Sequence, residues 1–216
     1  LASPDVSEIY EDALRAPNLA VSIPLINADP TSVPTPLGGL TGTGQVVAVL
    51  DTGVDSNHPF LSGAVVEEAC FSTNNPSLGA TSLCPGGNET SSGPGAAAPC
   101  GIGGCNHGTH VAGIVAGASG PASAPQGVAP GASILAVQVF TRFEGAVCAN
   151  AGLANPCLLS FTSDQIAGLD HVFNRRTALD IAAVNLSLGG GRFSSACDGD
   201  PTKPSIDVLR AANIAT

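Results

Sequence analysis

The chain has 216 residues, a formal net charge of −10 and an apolar content of 44%, which suits one domain with a sizeable buried core. Its seven lysines and arginines are scattered, whereas phosphate binding needs clustered cations. We therefore expect no nucleic-acid partner. No apolar run approaches the roughly 18 residues of a membrane span, so we expect no membrane insertion. The acid excess is typical of a soluble, secreted protein.

The seven cysteines indicate an oxidising compartment. Four of them fall within residues 70–105, in a stretch rich in Gly, Pro, Ser and Asn, and Cys148 and Cys157 bracket a short loop. Paired loop cysteines predict disulfides and hence secretion to the extracellular space. Cys70, Cys84, Cys100 and Cys105 allow three pairings, among which the sequence does not choose. Cys197 stands alone, and we expect its partner outside this chain.

The first half of the chain predicts one buried strand and one helix. Residues 1–20 form a separate piece, and a Pro-rich tether follows. The Val-rich run 45–50 predicts a parallel strand that is covered on both faces. Residues near 72–105 are expected to form a long, disulfide-stapled loop. A helix over 107–117 follows, with Asn106 as its N-cap.

The second half continues the alternation of strands and helices. Apolar runs predict strands over 133–140 and 181–186, and a new strand begins at Asn213. A capping box at 162–165 opens one helix, and residues 204–212 form another. This order predicts the α/β class, with a mostly parallel central sheet and helices on both faces.

Three polar segments are predicted to meet at one edge of this sheet. Asp51 ends the first strand, and Ser187-Leu188-Gly189 follows the third. His107 begins a helix that starts on the same side, and ligands of open α/β sheets bind beyond the carboxyl ends of the strands. A buried carboxylate on Nδ1 of an imidazole fixes its tautomer and stabilises the cation that forms when Nε2 takes a proton. The pattern therefore predicts Asp51 and His107 as two members of a nucleophilic triad.

These segments resemble the signature blocks of the subtilisin-like serine proteases. The similar blocks are Asp51-Thr52-Gly53, His107-Gly108-Thr109-His110-Val111-Ala112-Gly113 and Asn185-Leu186-Ser187-Leu188-Gly189-Gly190, with a further match at 127–132. The order of these blocks along the chain also fits the family's Asp, His, Ser arrangement. The resemblance implies a subtilisin-like three-layer sandwich in which Asp51 orients His107, the general base. It also implies that Ser187, Leu188 and Gly189 pair with the backbone of a polypeptide substrate, and that the protein is a monomer.

The N-terminal piece resembles the end of an inhibitory prosegment. Residues 1–20 would then act as part of an intramolecular inhibitor, with a maturation cut between Arg15 and Ser22. Residues 21–216 would form the N-terminal part of the peptidase domain.

Two departures from the family pattern shape the expectations. The catalytic serine block and the oxyanion-hole asparagine are not found in this chain, so we expect this fragment alone to be inactive. Phe60 stands where many relatives have an aspartate that helps to bind structural calcium. Because Phe cannot ligate a hard cation, we expect no metal and no cofactor.

Two other functions compete with a secreted serine endopeptidase. The main alternative is a catalytically inactive binding domain on the same scaffold, against which the intact Asp51 and His107 argue. A zinc cluster of Cys100, Cys105, His107 and His110 is less favoured, because the spacing fits no familiar zinc pattern. We expect His110 instead to be a buried, structural histidine.

Overall fold

The computed structural model describes residues 40–118, 126–189, 194, 196 and 198–216. The predicted prosegment end at 1–20, the expected cut between Arg15 and Ser22, and Cys197 all lie outside these described residues. The division into residues 1–20 and 21–216 therefore stays a prediction.

The described residues form eight strands and four α-helices. The strands are β1 (Val46–Asp51), β2 (Val65–Phe71), β3 (Ala80–Ser82), β4 (Thr90–Ser92), β5 (Ser133–Gln138), β6 (Thr141–Phe143), β7 (Cys157–Leu159) and β8 (Ile181–Leu186). The helices are α1 (His107–Ala116), α2 (Ala146–Asn150), α3 (Thr162–Arg175) and α4 (Lys203–Ala211). Three short 3₁₀ turns lie at Pro59–Leu61, Pro76–Leu78 and Pro85–Gly87.

The main sheet has the strand order β4-β2-β5-β1-β8. β1 pairs in parallel with β5 on one side and with β8 on the other, and β2 pairs in parallel with β5. Only β4 runs antiparallel among these five strands. Ala215 forms a parallel bridge to Ala183 of β8, where the sequence predicts the start of a further strand. The predicted α/β fold with a mostly parallel sheet is confirmed.

Each face of the sheet has its own apolar layer. Leu50, Leu135 and Val137 pack on one face with Leu169 of α3 and Leu209 of α4. On the other face, Val49, Ile134 and Ala136 pack with Val111, Ala112 and Ala116 of α1. Parallel strands buried on both faces read as continuous apolar runs, which is why β1 and β8 could be predicted from sequence.

Strand β2 was missed by the sequence analysis. Its apolar pattern is interrupted by Glu67 and Glu68, which face opposite sides of the strand. Glu68 is buried and accepts a hydrogen bond from the backbone N–H of Ala97 at 3.1 Å. Glu67 pairs with Arg175 of α3 at 2.7 Å. Each carboxylate thus finds a partner that is distant in sequence.

His171 of α3 adjoins the same Glu67–Arg175 pair. Its Nε2 lies 3.5 Å from Oε1 of Glu67, and its ring stacks at a tilt on Phe71, with 5.7 Å between the ring centroids. Burial lowers the pKa of His171 below its ordinary value of 6.5, although Glu67 acts in the opposite direction. The neutral imidazole is therefore favoured in the folded protein.

The predicted capping box at the start of α3 was wrong. Phe161 occupies the N-cap position and no side chain caps the helix. The Asp164 carboxylate is buried and instead accepts hydrogen bonds from Thr73, at 3.0 Å from N and 2.8 Å from Oγ1. Asp164 therefore anchors the stapled loop to α3 rather than serving its own helix.

The stapled loop is more regular than predicted. It contains β3 and β4, and β3 joins β6 and β7 in a second, three-stranded antiparallel sheet. Three disulfides link Cys70–Cys84, Cys100–Cys105 and Cys148–Cys157. The prediction that the loop cysteines pair is confirmed for these six residues.

Candidate active site

The sequence-predicted residues Asp51 and His107 lie in direct contact. Nδ1 of His107 is 2.8 Å from Oδ1 of Asp51, although 56 positions separate them. The carboxylate is 0% exposed, whereas 49% of the imidazole surface is accessible. A buried carboxylate that holds Nδ1–H leaves the second ring nitrogen, Nε2, as a proton acceptor.

Strand β1 fixes the position of the carboxylate. Asp51 is the last residue of β1, and its Oδ1 also accepts a hydrogen bond from the backbone N–H of Thr52 at 2.7 Å. Its Oδ2 is buried and has no hydrogen-bond partner among the described residues. The hydrogen bonds of this carboxylate thus come from His107 and from the adjoining backbone.

Helix α1 approaches β1 very closely at the site. A Cβ atom on Gly108 would lie 3.0 Å from Cβ of Asp51 and even closer to the carbonyl oxygen of Gly53. Gly53 has a φ of +98°, which favours glycine, and a Cβ there would lie 2.6 Å from the carbonyl oxygen of Ala97. Gly108 therefore allows α1 to approach Asp51, and Gly53 allows the turn after β1 to pack against the backbone of Ala97.

Asn106 does not cap α1 as predicted. It occupies the N-cap position, but its side chain makes no capping hydrogen bond. The backbone N–H of Gly108 donates instead to Oγ1 of Thr52 at 3.0 Å, and this hydroxyl donates to the carbonyl of Cys105 at 3.1 Å. The sequence analysis quoted Thr52 only as part of a motif and assigned it no role.

Ser187, Leu188 and Gly189 lie beside the Asp–His pair, directly after β8. Ser187 and Gly189 are exposed, and Nδ2 of Asn185 donates to Oγ of Ser187 at 2.9 Å. Ser187 lines a cavity of about 490 Å³ together with His107. It also lines a neighbouring cavity of about 810 Å³ together with Leu188 and Gly189. The three residues thus form one wall of a cleft that continues from His107.

The loop between Cys148 and Cys157 and the adjoining strand β7 also line this cleft. Leu153 and Leu158 line both cavities, and Leu153 is exposed. Sequence reasoning recognised the disulfide-stapled loop but not its place at the site. An exposed leucine in a loop that a disulfide holds in place is the signal that could have indicated it.

The prediction for His110 was wrong. It is exposed and lines a separate cavity of about 830 Å³ with Asp55 and His58. Cys100 and Cys105 are joined in a disulfide, so their sulfurs are not available as metal ligands. Within the described ranges, no cluster of three or more His, Cys, Asp or Glu side chains could hold a metal ion.

Phe60 stands where the family resemblance would place a calcium-binding aspartate. Its ring packs against the backbone of α1, where a Cβ on Gly113 would lie 3.4 Å from Cδ1 of Phe60. Its carbonyl accepts the backbone N–H of Ala118 at 3.0 Å. The ring offers no oxygen ligand. That the protein needs no metal and no cofactor stays a prediction.

Comparisons with known proteins bear on the whole of this architecture. The Subtilase family profile matches residues 42–212. Thermitase of Thermoactinomyces vulgaris is 38% identical over 99 residues, covering 46% of this chain and 27% of that protein. An extracellular protease of Xanthomonas campestris is 28% identical over 191 residues, covering 82% and 30%.

Two solved structures share the fold. S41 psychrophilic protease gives a TM-score of 0.53 at 25% identity, covering 81% of this chain and 46% of that one. A protease from Pseudoalteromonas arctica gives a TM-score of 0.54 at 25% identity, covering 82% and 50%. The chain therefore spans half or less of the length of these relatives. In the part of the chain that the structure describes, none of the helices has the length and apolarity to cross a membrane.

The profile match extends over most of the chain and includes Asp51, His107 and the segment after β8. The solved relatives share the overall fold over 81% and 82% of this chain. The chain belongs to the subtilase family.

Proposed function

We propose that this chain is part of a secreted serine endopeptidase that hydrolyses peptide bonds through an Asp-His-Ser triad. The observation that carries the proposal is the contact of 2.8 Å between the buried Asp51 carboxylate and the half-exposed His107 ring. This chain covers 27% of the length of thermitase and 50% of the length of the Pseudoalteromonas arctica protease. We infer that the nucleophilic serine lies in sequence that follows Thr216.

His107 acts as the general base in this mechanism. The serine oxygen attacks the peptide carbonyl, and Nε2 of His107 accepts the serine proton. Asp51 holds Nδ1–H and stabilises the imidazolium that forms. The imidazolium then protonates the leaving amine, and water hydrolyses the acyl-enzyme with the same histidine as base. Without the serine, this fragment has no nucleophile and would be inactive.

The cleft supports polypeptide substrates. Ser187 and Gly189, directly after β8, are exposed, and Ser187 lines the same cavity as His107. An extended peptide can pair with such an exposed segment through main-chain hydrogen bonds, which tolerate many sequences. Leu153 and Leu158 line the same cavity and add apolar surface to it.

Secretion and control by the N-terminal piece belong to the same proposal. Three disulfides favour an oxidising compartment, and one relative is named an extracellular protease. Residues 1–20 would inhibit the enzyme until a cut between Arg15 and Ser22. N-terminal sequencing of the active, secreted protein tests this, and a terminus at Leu1 would contradict it. We further propose that the protein acts as a monomer.

The test begins with the gene sequence beyond the codon for Thr216 and continues with the complete protein. We expect Asp51→Asn to lower kcat by about 10⁴-fold, as the same change does in a well-studied Ser-His-Asp triad, because the wrong tautomer of His107 is then favoured. His107→Ala should cost at least as much, whereas His110→Ala, one turn along the same helix, should leave kcat unchanged. A reading frame without a nucleophilic serine, or equal effects of both histidine variants, would favour the inactive binding domain instead.

A further inference from the structure

The Thr52 hydroxyl makes two hydrogen bonds that bracket His107. Thr52 is 4% exposed. Its Oγ1 donates to the carbonyl of Cys105 at 3.1 Å and accepts the backbone N–H of Gly108 at 3.0 Å. Cys105 and Gly108 lie on either side of the Asn106-His107 dipeptide. One hydroxyl group thus holds the backbone both before and after the histidine.

The two hydrogen bonds of the Thr52 hydroxyl, here called the Thr52 bridge, take the place of an N-cap side chain at the start of α1. The first backbone N–H groups of an α-helix have no partner inside it, and the Asn106 side chain supplies none. The Thr52 hydroxyl satisfies one of these groups from the end of β1. The start of α1 is therefore positioned by the strand that carries Asp51, and not by the sequence of the helix itself.

We propose that Thr52 is a positioning residue for His107. Asp51 holds the imidazole ring through Nδ1, and the next residue, Thr52, holds the backbone from which that ring extends. Two attachments from consecutive residues define both the place and the orientation of the base. The neighbouring Cys100–Cys105 disulfide restrains Cys105 further. The consequence for catalysis rests on the proposed function, whereas the consequence for geometry does not.

Removal of the Thr52 hydroxyl leaves two buried backbone groups without this hydrogen-bond partner. In Thr52→Val, the shape of the side chain is kept, but the Gly108 N–H and the Cys105 carbonyl lose a buried partner. Buried polar groups without partners are unfavourable, so the backbone around His107 is expected to move until they find one. Because an error of about 1 Å in the placement of a reacting group can lower the rate by about 10²-fold, we expect kcat to fall by about 10- to 100-fold.

The experiment compares Thr52→Val with Thr52→Ser in the complete protein. The serine variant keeps the hydroxyl and should keep kcat near that of the parent protein. KM should change less than kcat in both variants, because Thr52 is buried and the proposed substrate-binding residues Ser187 to Gly189 follow β8 rather than β1. The low-field proton resonance of His107 Nδ1–H should persist in Thr52→Ser and shift or broaden in Thr52→Val. Because Thr52→Ser loses the methyl group and keeps the hydroxyl, it reports the effect of a change in packing alone on kcat and on this resonance.

Three results would overturn the proposal. One is an unchanged kcat and resonance in Thr52→Val, and another is an equal loss in both variants, which would assign the effect to the methyl group. The third applies if Thr52→Val does not fold, and is measured by hydrogen exchange at the Gly108 amide of the parent protein. Rapid exchange of this amide would show that it is not held by the Thr52 hydroxyl. A parent protein that shows the resonance but hydrolyses no peptide would refute the proposed function and leave the positioning role in place.

Discussion

Gly108→Ala tests how tightly helix α1, which carries His107, is packed on strand β1, which carries Asp51. An ideal Cβ at this position would lie 3.0 Å from Cβ of Asp51 and 3.2 Å from its Oδ1, where ordinary contacts begin near 3.4 Å. The carbonyl oxygen of Gly53 would be closer still. These neighbours are backbone or short, buried groups that cannot rotate away. The added methyl group must therefore move α1 or the turn after β1.

Two opposing effects decide the change in stability. Alanine is favoured over glycine within a helix by up to about 1 kcal/mol, and less than this is available in the first turn. Overpacking of a dense interior costs about 1–3 kcal/mol, and contact with a carbonyl oxygen places Gly108→Ala in the upper part of that range. We therefore expect a net loss of about 1–2 kcal/mol in the free energy of unfolding.

The effect on activity should exceed the effect on stability. The displacement lies between Asp51 and His107 themselves, so a shift on the order of 1 Å should lower kcat by about 10²-fold. The assay is peptide hydrolysis by the complete protein, with thermal unfolding of the same sample. Gly101→Ala is the matched control, because a Cβ there meets no atom within 4 Å. Equal activity and stability in both variants would refute the close packing of α1 on β1.

Two further predictions concern other parts of the structure. The double variant Cys100→Ser/Cys105→Ser opens a short loop before His107. It should lower the free energy of unfolding by about 2 kcal/mol and reduce kcat. A change in KM alone would show that this loop does not hold His107 in place. His171 has a pKa below 6.5 in the folded protein, so the unfolded chain protonates first and the stability should fall as the pH drops below 6.5. In His171→Asn this part of the pH dependence of unfolding should disappear, and an unchanged slope would contradict the assignment.

The residues of the Asp–His pair could be predicted because their signals are local. β1 is an unbroken apolar run that ends in Asp51, and His107 directly precedes small residues at helical spacing. Parallel strands place their carboxyl ends at one edge of the sheet. This rule is enough to bring the two residues together from the sequence alone.

The features that sequence reasoning missed depend on partners that are distant along the chain. Glu67 and Glu68 obscured β2, since their partners Arg175 and Ala97 come from other elements. Asp164 lies within the predicted capping box at 162–165, yet it binds Thr73 in the stapled loop. In each case a tertiary contact replaced a local preference.

The same limit applies to the start of α1. Asn is among the favoured N-cap residues, but Asn106 leaves this role to Thr52. His110 lies three residues after His107, and no local pattern distinguishes an exposed position there from a buried one. Helix propensity and spacing predicted the element, and its packing against β1 decided the contacts.

The place of each site residue in the strand order has a consequence for how the protein responds to heat. Asp51 ends the central strand β1, which has a neighbour on each side and apolar layers on both faces. Ser187 and Gly189 follow β8 as exposed residues outside any strand. Exposed segments open locally at a lower free energy than core strands. On warming, the protein should therefore lose the order of the proposed substrate-binding segment, Ser187 to Gly189, before it loses the Asp–His pair, and KM should rise at temperatures at which kcat is still increasing.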